Sequence, residues 1–487
     1  MPTRNSHLLK DDAIRRFITD GYVQVNAGLP QEFHRDLFRK IETVLEEEGN
    51  PGNNILPRIP EIQRVFDQPA VRGALTSLLG PGYLMHPHRY CHLNKPGSSG
   101  QQWHKDDYIF DHNVRHARCR WVMAFYYPQD VSEDMGPTGI LPGMQHHNCI
   151  SECEASKTTE PALGLCGPAG TVSIVNFDSW HRATQNISEK NRYMLKFQFT
   201  RSHEPAGPSW DGGNGTWRTQ SGNGRSGDAL PAVSEVVWNW MSGKESSVAE
   251  TNGTSIGRYL SALDDPDEEV RLQAAYTLGR QGHNAVDALV ERLRSTREEE
   301  ALASVPKNPA NPTGGNPSEL PAAYALSAAG RPAVSRLEAL LEDDAWWVRA
   351  ATADVLGDIG LPASSALPSL LRSLRDDDAW VRRNASESVA VLGGFSPGDV
   401  PILRRALADE DERVRRNIAF ALARHPIYDG GLVDDLAARS VEDEGRYVRY
   451  YALAAAARMA GKPDHASLWE AMLATRWCPL TTRRSTF

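Results

Sequence analysis

The sequence predicts two domains: an antiparallel β-sandwich or barrel with flanking helices, followed by an all-α solenoid. The length of 487 residues exceeds what one ordinary hydrophobic core serves. Residues 82–200 contain short β-branched or aromatic runs broken by Gly and Pro, which is typical of antiparallel sheets. After residue 256, an acidic turn, a Val-Arg pair and an Ala-rich helix recur, which is typical of stacked helical repeats.

Residues 8–49 are predicted to be mainly helical. DDAIRRFITDGYVQV indicates a helix that ends near Gly21 and passes into a short strand, and LPQEFHRDLFRKIETVLEEE has apolar residues at helical spacing. The Gly-, Ser- and Asn-rich residues 203–230 are predicted to form a loop. VSEVVWNWMSG then predicts a short amphipathic helix packed against the barrel.

The C-terminal repeat has a nearly constant period. Its Val-Arg pairs place arginines at Arg271, Arg349, Arg382, Arg415 and Arg449, and the last three intervals are 33, 33 and 34 residues. The acidic residues fit helix N-termini, where the macrodipole favours negative charge. The units resemble HEAT repeats, and the 78-residue gap after the first arginine predicts an irregular unit with an inserted loop at 305–321. We expect the arginines to pair with the acidic turns.

Aromatic residues precede several Val-Arg pairs, at Trp346, Trp347, Trp380 and Tyr447. They predict either packing between repeats or a binding stripe along the solenoid. The domain limits that follow are 1–243 for the β domain, 244–255 for a linker, 256–475 for the repeats and 476–487 for a tail.

Composition excludes some functional classes. The net charge of −9 and the pI near 5.9 argue against a general nucleic-acid binder. No secretory h-region is visible, and no apolar run approaches the roughly 20 residues that span a bilayer, so we expect no membrane partner. Six cysteines are sparse for this length, which predicts reduced thiols and a cytoplasmic protein.

Three residues predict a metal site. His104 and Asp106 lie beside predicted strand, where residues two apart share a face, and His181 follows 75 residues after Asp106. Asp107 should point the other way. Two imidazoles and one carboxylate leave three faces of an octahedral ion open, which a non-haem Fe(II) oxygenase requires. Arg192, eleven residues after His181, has the planar fork that suits the far carboxylate of 2-oxoglutarate. In its segment NRYMLKFQFT, one face of the predicted strand carries Arg192, Met194, Lys196 and Gln198, and the other carries Tyr193, Leu195, Phe197 and Phe199.

A second His-x-Asp serves as an internal comparison. His34-Arg35-Asp36 lies in the helix QEFHRDLFRKIE, where residues two apart point to nearly opposite sides. His34 and Asp36 therefore cannot converge on one ion, and we predict that both are surface residues.

Several motifs resemble the phytanoyl-CoA dioxygenase family: WHKDD, GPTGILPGMQHH, NFDSWHRATQNIS, RYMLKFQF and the KPG at 95–97. The resemblance covers roughly residues 8–240 and departs from the family's usual PGSH at PGMQHH. It implies a double-stranded β-helix, or jelly roll, that uses Fe(II) with 2-oxoglutarate and O₂ as co-substrates.

By that resemblance, His104, Asp106 and His181 match the facial triad, and Arg192 matches the clamp for the co-substrate carboxylate. Thr138 in GPTGILPG corresponds to a position that approaches the co-substrate. Halogenating relatives replace the carboxylate ligand with a small residue, so the presence of Asp106 predicts that this chain does not halogenate.

Other candidates have competing interpretations. A substrate pocket could be lined by Trp103, Tyr108, Arg118 and Phe125. For the three aromatic residues, packing in the core is the simpler interpretation. The basic stretch of Arg115, His116, Arg118 and Arg120 could meet an anionic substrate or form a solvated strand face. Zinc is not expected at the group His146, His147, Cys149 and Cys153, because its spacing matches no usual zinc motif.

Two functional hypotheses follow. The first is an active iron and 2-oxoglutarate dioxygenase that hydroxylates a small or carrier-bound organic molecule, while the repeats recruit a partner or drive self-association. The same site could instead desaturate, epoxidise or cyclise, and the sequence does not identify the substrate. The second is a scaffold protein in which the repeats act and the β domain is inactive.

Overall fold

The computed structural model describes residues 7–106, 116–148, 150, 163–213, 215–218, 228–244, 254–303 and 316–459. The described residues form two compact units, the first ending at residue 244 and the second containing His116 and the residues from 254 onward. Most of the predicted linker and all of the predicted tail lie outside them. In the part of the chain that the structure describes, no helix is long and apolar enough to cross a bilayer.

The first unit opens with helices around a short strand. Helix α1 (Asp11–Asp20) ends at Gly21, whose φ of 81° lets its N–H bond the Phe17 carbonyl, and strand β1 (Tyr22–Asn26) follows as predicted. The remaining helices of this unit are α2 (Gln31–Glu47), α3 (Ile55–Arg58), α4 (Gln63–Phe66), α5 (Pro69–Leu79) and α6 (Pro231–Met241). Helix α6 confirms the predicted amphipathic segment, and its Trp238 packs under the Arg15 guanidinium of α1 at 4.4 Å.

Two antiparallel sheets form the body of the first unit, as the predicted jelly roll requires. Besides β1, the strands are β2 (Leu84–Asn94), β3 (Trp121–Tyr126), β4 (Thr138–Ile140), β5 (Leu163–Gly164), β6 (Thr171–Asn176), β7 (His181–Ala183) and β8 (Arg192–Thr200). The larger sheet has the order β1-β6-β3-β8-β2 and the smaller has the order β5-β4-β7.

Strand β8 has two different faces. One face packs against the helices: the Phe197 ring lies 4.5 Å from Phe66 of α4 and the Tyr193 ring 5.2 Å from Phe38 of α2, between centroids. The other face carries Arg192 and Lys196 into the space between the sheets. The alternation predicted for this segment is therefore confirmed, and it places basic groups inside the jelly roll.

His34 is fully buried, so the prediction that it lies on the surface is wrong. It shares the inner stripe of α2 with Leu37 and Ile41, and its Nδ1 lies 2.6 Å from the Tyr126 hydroxyl of β3. Helical spacing of three and seven residues puts His34 on this stripe. Asp36 is exposed, so the predicted divergence of the two side chains is confirmed.

The second unit consists of helices and short helical turns. Its α-helices are α7 (Thr254–Ala262), α8 (Glu268–Gly279), α9 (His283–Arg294), α10 (Glu298–Ala303), α11 (Pro321–Ala329), α12 (Val334–Leu340), α13 (Trp346–Ile359), α14 (Leu367–Ser373), α15 (Ala379–Leu392), α16 (Val400–Leu407), α17 (Glu412–Arg424), α18 (Gly430–Glu442) and α19 (Arg446–Met459). Trp380 packs with Ala350 and Trp346 of the preceding repeat. Trp380 and Tyr447 are each 5% exposed, so packing between repeats is the better interpretation of these aromatics.

Candidate metal centre

Backbone pairing brings the two predicted histidine ligands together. His104 forms an isolated antiparallel bridge with His181, the first residue of β7, through N–H to carbonyl bonds of 3.1 and 3.0 Å. The two ring centroids are 4.4 Å apart. Residues 77 positions apart in the chain thus present their side chains to one point.

In both imidazoles, the Nδ1 atom faces a backbone carbonyl. His104 Nδ1 lies 3.0 Å from the Gln102 carbonyl, and His181 Nδ1 lies 3.0 Å from the Ser179 carbonyl. A carbonyl can only accept, so each Nδ1 carries the hydrogen and each Nε2 presents a lone pair. Burial lowers the pKa of His181 to about 4, against the opposing charge of Asp106, so its imidazole is neutral near pH 7. Neutral imidazole is the form that binds a metal.

Asp106 completes the group. Its Oδ1 lies 3.8 Å from His181 Nε2, and the three candidate ligand atoms of His104, Asp106 and His181 all lie within 4.8 Å of one another. Burial raises the pKa of the Asp106 carboxyl, but the nearby Lys196 and His181 outweigh it and hold the pKa well below its usual range. The carboxylate is therefore ionised. Two nitrogens and one oxygen fit Fe(II) by the chemistry of the donor set.

The neighbour of Asp106 turns away, as strand-like alternation requires. Lys105 Nζ donates to the Gln145 carbonyl at 2.9 Å and pairs with Asp178 at 3.0 Å. These buried contacts hold the Lys105 side chain away from the candidate ligand atoms. Asp107, which we predicted to point away as well, lies outside the described residues.

Arg192 and Thr138 face the same pocket as His104 and His181. Arg192 is 1% exposed, and its Nε and Nη2 donate to the Gly136 carbonyl at 3.0 and 2.8 Å. Its Nη1 and the Thr138 hydroxyl are buried and have no hydrogen-bond partner among the described residues. Buried donors normally have acceptors. A carboxylate in the pocket would satisfy both, so these residues fit the distal end of 2-oxoglutarate.

Three residues of this site were not anticipated. The Gly136 carbonyl orients the Arg192 fork, and Asn94 Nδ2 donates to the same carbonyl at 2.9 Å. Gly136 has a φ of 67°, and an added Cβ would lie 2.4 Å from Asn94 Nδ2. Lys196 donates to Asp106 Oδ2 at 2.8 Å. Gly136 stands in the quoted GPTGILPG motif, and alternation put Lys196 on the face of Arg192, but neither signal revealed these bonds.

The residues proposed for the substrate pocket do not gather in one place. Trp103 packs under the Arg182 guanidinium at 4.4 Å, and Arg118 lies 6.0 Å from the Trp240 ring. Phe125 is fully buried in β3 with its ring centroid 6.0 Å from that of His181. None of the three belongs to the pocket lining around His104. Tyr108 lies outside the described residues.

The remaining basic candidates also lie in different places. Arg120 pairs with Glu204 through two bonds of 2.8 and 3.1 Å, and buried His116 lies beside Asp354 at 3.3 Å within the second unit. Neither is a solvated side chain on a strand face. Of the zinc candidates, His146 and His147 are described, while Cys149 and Cys153 lie outside the described residues.

Residues 17–194 match the model of the family described as phytanoyl-CoA dioxygenase (PhyH), and residues 320–390 match HEAT repeats. The chain is therefore a fusion of a PhyH domain with HEAT repeats. Its enzyme class is that of the Fe(II)- and 2-oxoglutarate-dependent dioxygenases. No curated protein matches the chain.

Several solved structures are similar to the first unit. The carbocyclase SnoK from nogalamycin biosynthesis is 18% identical over 42% of this chain and 88% of its own, with a TM-score of 0.34. HygX from Streptomyces hygroscopicus, with nickel and 2-oxoglutarate bound, is 14% identical over 40% and 88%, with a TM-score of 0.33. EctD from S. alaskensis is 15% identical over 41% and 79%, with a TM-score of 0.35.

Proposed function

We propose that the first unit binds Fe(II) through His104, Asp106 and His181 and hydroxylates an unactivated C–H bond of a small or carrier-bound organic molecule. The observation that carries this proposal is one pocket with two kinds of group. The pocket is lined by His104 and His181, whose ligand atoms converge with that of Asp106. It is also lined by Arg192 and Thr138, whose buried donors have no partner among the described residues.

Each residue has a defined task. The Gln102 and Ser179 carbonyls fix the imidazoles so that both Nε2 atoms face the ion. The Gly136 carbonyl holds the Arg192 fork, which then meets the distal carboxylate of 2-oxoglutarate, and Thr138 donates a further hydrogen bond. When bound, Fe(II) with 2-oxoglutarate and O₂ supplies an oxidant able to break an unactivated C–H bond.

Burial contributes to the chemistry in two ways. His181, Asp106, Thr138 and Arg192 are each at most 6% exposed. Water is therefore restricted around these four side chains, which protects a reactive centre from side reactions. Because burial leaves the co-substrate few polar partners, the donors of Arg192 and Thr138 also hold it in one orientation.

An anaerobic titration with Fe(II) and 2-oxoglutarate tests the proposal. The native chain should develop a visible charge-transfer band, His181→Ala should lose it, and Arg192→Ala should need much more 2-oxoglutarate. Absence of the band in folded native protein contradicts the proposal and favours a scaffold with an inactive β domain. With a substrate in hand, a product that gains one oxygen atom identifies hydroxylation, whereas loss of two hydrogens identifies desaturation or ring closure.

We further propose that the HEAT repeats recruit a partner or drive assembly, because stacked helical repeats present extended surfaces. Light scattering of the full chain over a range of concentrations tests assembly. Affinity capture followed by saturable binding to the purified candidate tests recruitment. A monomer at every concentration that binds no candidate contradicts this part.

We also propose a cytoplasmic location. Cys91, Cys119 and Cys166 are free thiols, which suits a reducing compartment. Fractionation of cells that express the tagged chain tests this location.

A further inference from the structure

Asp106, the candidate carboxylate ligand, forms an ion pair with a lysine. Lys196 Nζ is 2.8 Å from Asp106 Oδ2, and the two side chains are only 6% and 5% exposed. Lys196 stands four residues after Arg192 on the same face of β8 and lines the same pocket. Lys196 therefore belongs to the wall of the pocket that His104 and His181 also line.

The two oxygens of Asp106 have different surroundings. Oδ1 faces His181 Nε2 at 3.8 Å, on the side of the other candidate ligands, while Oδ2 accepts from Lys196. A carboxylate can give a metal one oxygen or two. If Asp106 gave two, it would take one of the positions that 2-oxoglutarate and O₂ need. The hydrogen bond to Oδ2 leaves Oδ1 as the donor.

We propose that Lys196 is a positioning residue that restricts Asp106 to ligation through Oδ1 and thereby keeps the third open face of the ion available. This inference rests on the proposed function of the site. It assigns to Lys196 a role distinct from that of Arg192, which meets the far end of the co-substrate.

Electrostatics separates this role from simple support of the fold. An ammonium group beside the site repels a divalent cation, so Lys196 does not serve to strengthen metal binding. If it only compensated the buried charge of Asp106, its loss would weaken the fold and all binding together. A positioning residue instead affects how the co-substrate binds after the metal is in place.

Two substitutions and one control separate these roles. Lys196→Met keeps the length of the side chain and removes the donor, and Lys196→Arg keeps a charged donor. Arg120→Met is the control because it removes one partner of a half-buried ion pair, with Glu204, in the same unit and away from the pocket lining. For each variant we would measure Co(II) affinity and the Co(II) absorption spectrum of the full chain, then 2-oxoglutarate affinity with Fe(II) under anaerobic conditions.

We expect Lys196→Met to bind Co(II) at least as tightly as the native chain, with a changed absorption spectrum, and to bind 2-oxoglutarate about tenfold more weakly or worse. Lys196→Arg should recover most of that affinity. Unchanged 2-oxoglutarate affinity in the Met variant would overturn the proposal. So would a parallel loss of Co(II) and 2-oxoglutarate affinity, or a selective loss that Lys196→Arg does not restore.

The native chain distinguishes this inference from the function on which it rests. If native protein gives no charge-transfer band, the proposed function fails. If native protein gives the band and Lys196→Met behaves identically, only the role of Lys196 fails.

Discussion

Arg349 in one repeat holds both carboxylate oxygens of Asp376 in the next. Its Nε donates to Oδ2 at 2.7 Å and its Nη2 to Oδ1 at 2.8 Å, while Nη1 donates to the carbonyls of Asp343 and Asp344. One guanidinium thus closes the turn before its own helix and binds the turn of the following unit. Two further pairs follow the same pattern: Arg382 with Asp409, and Arg415 with Asp443.

These three arginine–aspartate pairs form a ladder along the repeats, and the ladder explains why an acidic turn and Val-Arg recur together. Arg271 and Arg449 make the same bonds to the carbonyls of their own turns. The expected pairing of arginines with acidic turns is confirmed for the three inner pairs. Each inner arginine therefore serves the contact between repeats.

Replacing Arg349 by Met should destabilise the solenoid by about 2 kcal/mol, because hydrogen bonds to a charged, half-buried partner are lost and Asp376 keeps its charge. Chemical denaturation followed by far-UV circular dichroism measures this. The exposed Arg405 provides the control, and Arg405→Met should change the free energy of unfolding little. Equal effects of the two substitutions would show that the ladder does not stabilise the array.

The sequence predicted those features that depend on local periodicity. Alternation in β8 indicated that Arg192 and Lys196 share a face, and the repeat spacing indicated the solenoid. Contacts between segments that are distant in the chain could not be predicted from the sequence. The bridge of His104 to His181 and the Gly136 carbonyl behind Arg192 both require the sheets to close.

The error at His34 has the same origin. Its helical stripe was visible in the sequence, but the Tyr126 hydroxyl that it meets lies 92 residues away. Trp103 directly precedes His104, and adjacent residues of an extended segment point to opposite sides, so Trp103 does not line the pocket. Phe125 is fully buried in β3, which agrees with the alternative of aromatic core packing.

Thr138→Val should weaken 2-oxoglutarate binding about tenfold, because it keeps the side-chain volume and removes the buried donor that we propose for the co-substrate carboxylate. Metal affinity should not change, since Thr138 is outside the group of ligand atoms. Thr138→Ser retains the hydroxyl and should bind the co-substrate nearly as the native chain does. Anaerobic titration of the charge-transfer band measures all three proteins, and equal affinities would remove Thr138 from the site.

Gly136→Ala should reduce 2-oxoglutarate-dependent turnover by up to roughly 100-fold, because the new Cβ displaces the carbonyl that orients Arg192. The added atom would lie 2.4 Å from Asn94 Nδ2 and 2.7 Å from the Thr184 carbonyl. Production of succinate at saturating Fe(II) measures the loss.

Gly28 offers a matched control. Its φ of 71° is similar to that of Gly136, but an added Cβ meets nothing within 4 Å. Gly28→Ala should therefore lose about 1 kcal/mol of stability from the left-handed backbone and keep its turnover. If both alanine variants lose turnover alike, backbone strain rather than the Arg192 contact explains the effect.

Burial of His34 should make the first unit less stable in acid. Burial lowers the pKa of the folded-state imidazole below its ordinary value of 6.5, against a smaller opposing effect of the Leu29 backbone. The unfolded chain therefore binds more protons as the pH falls through 6.5. The stability that depends on neutral His34 is fully present above that pH and is lost below it.

His34→Gln removes this titration and keeps a polar group opposite the Tyr126 hydroxyl. Between pH 7.5 and 5.5, the free energy of unfolding should therefore fall less steeply in the variant than in the native chain. Exposed His283 supplies the control His283→Gln, measured over the same range. Denaturant titrations at each pH give the slopes. Identical slopes for the native chain and His34→Gln would mean that His34 accepts its proton as readily in the folded chain as in the unfolded chain.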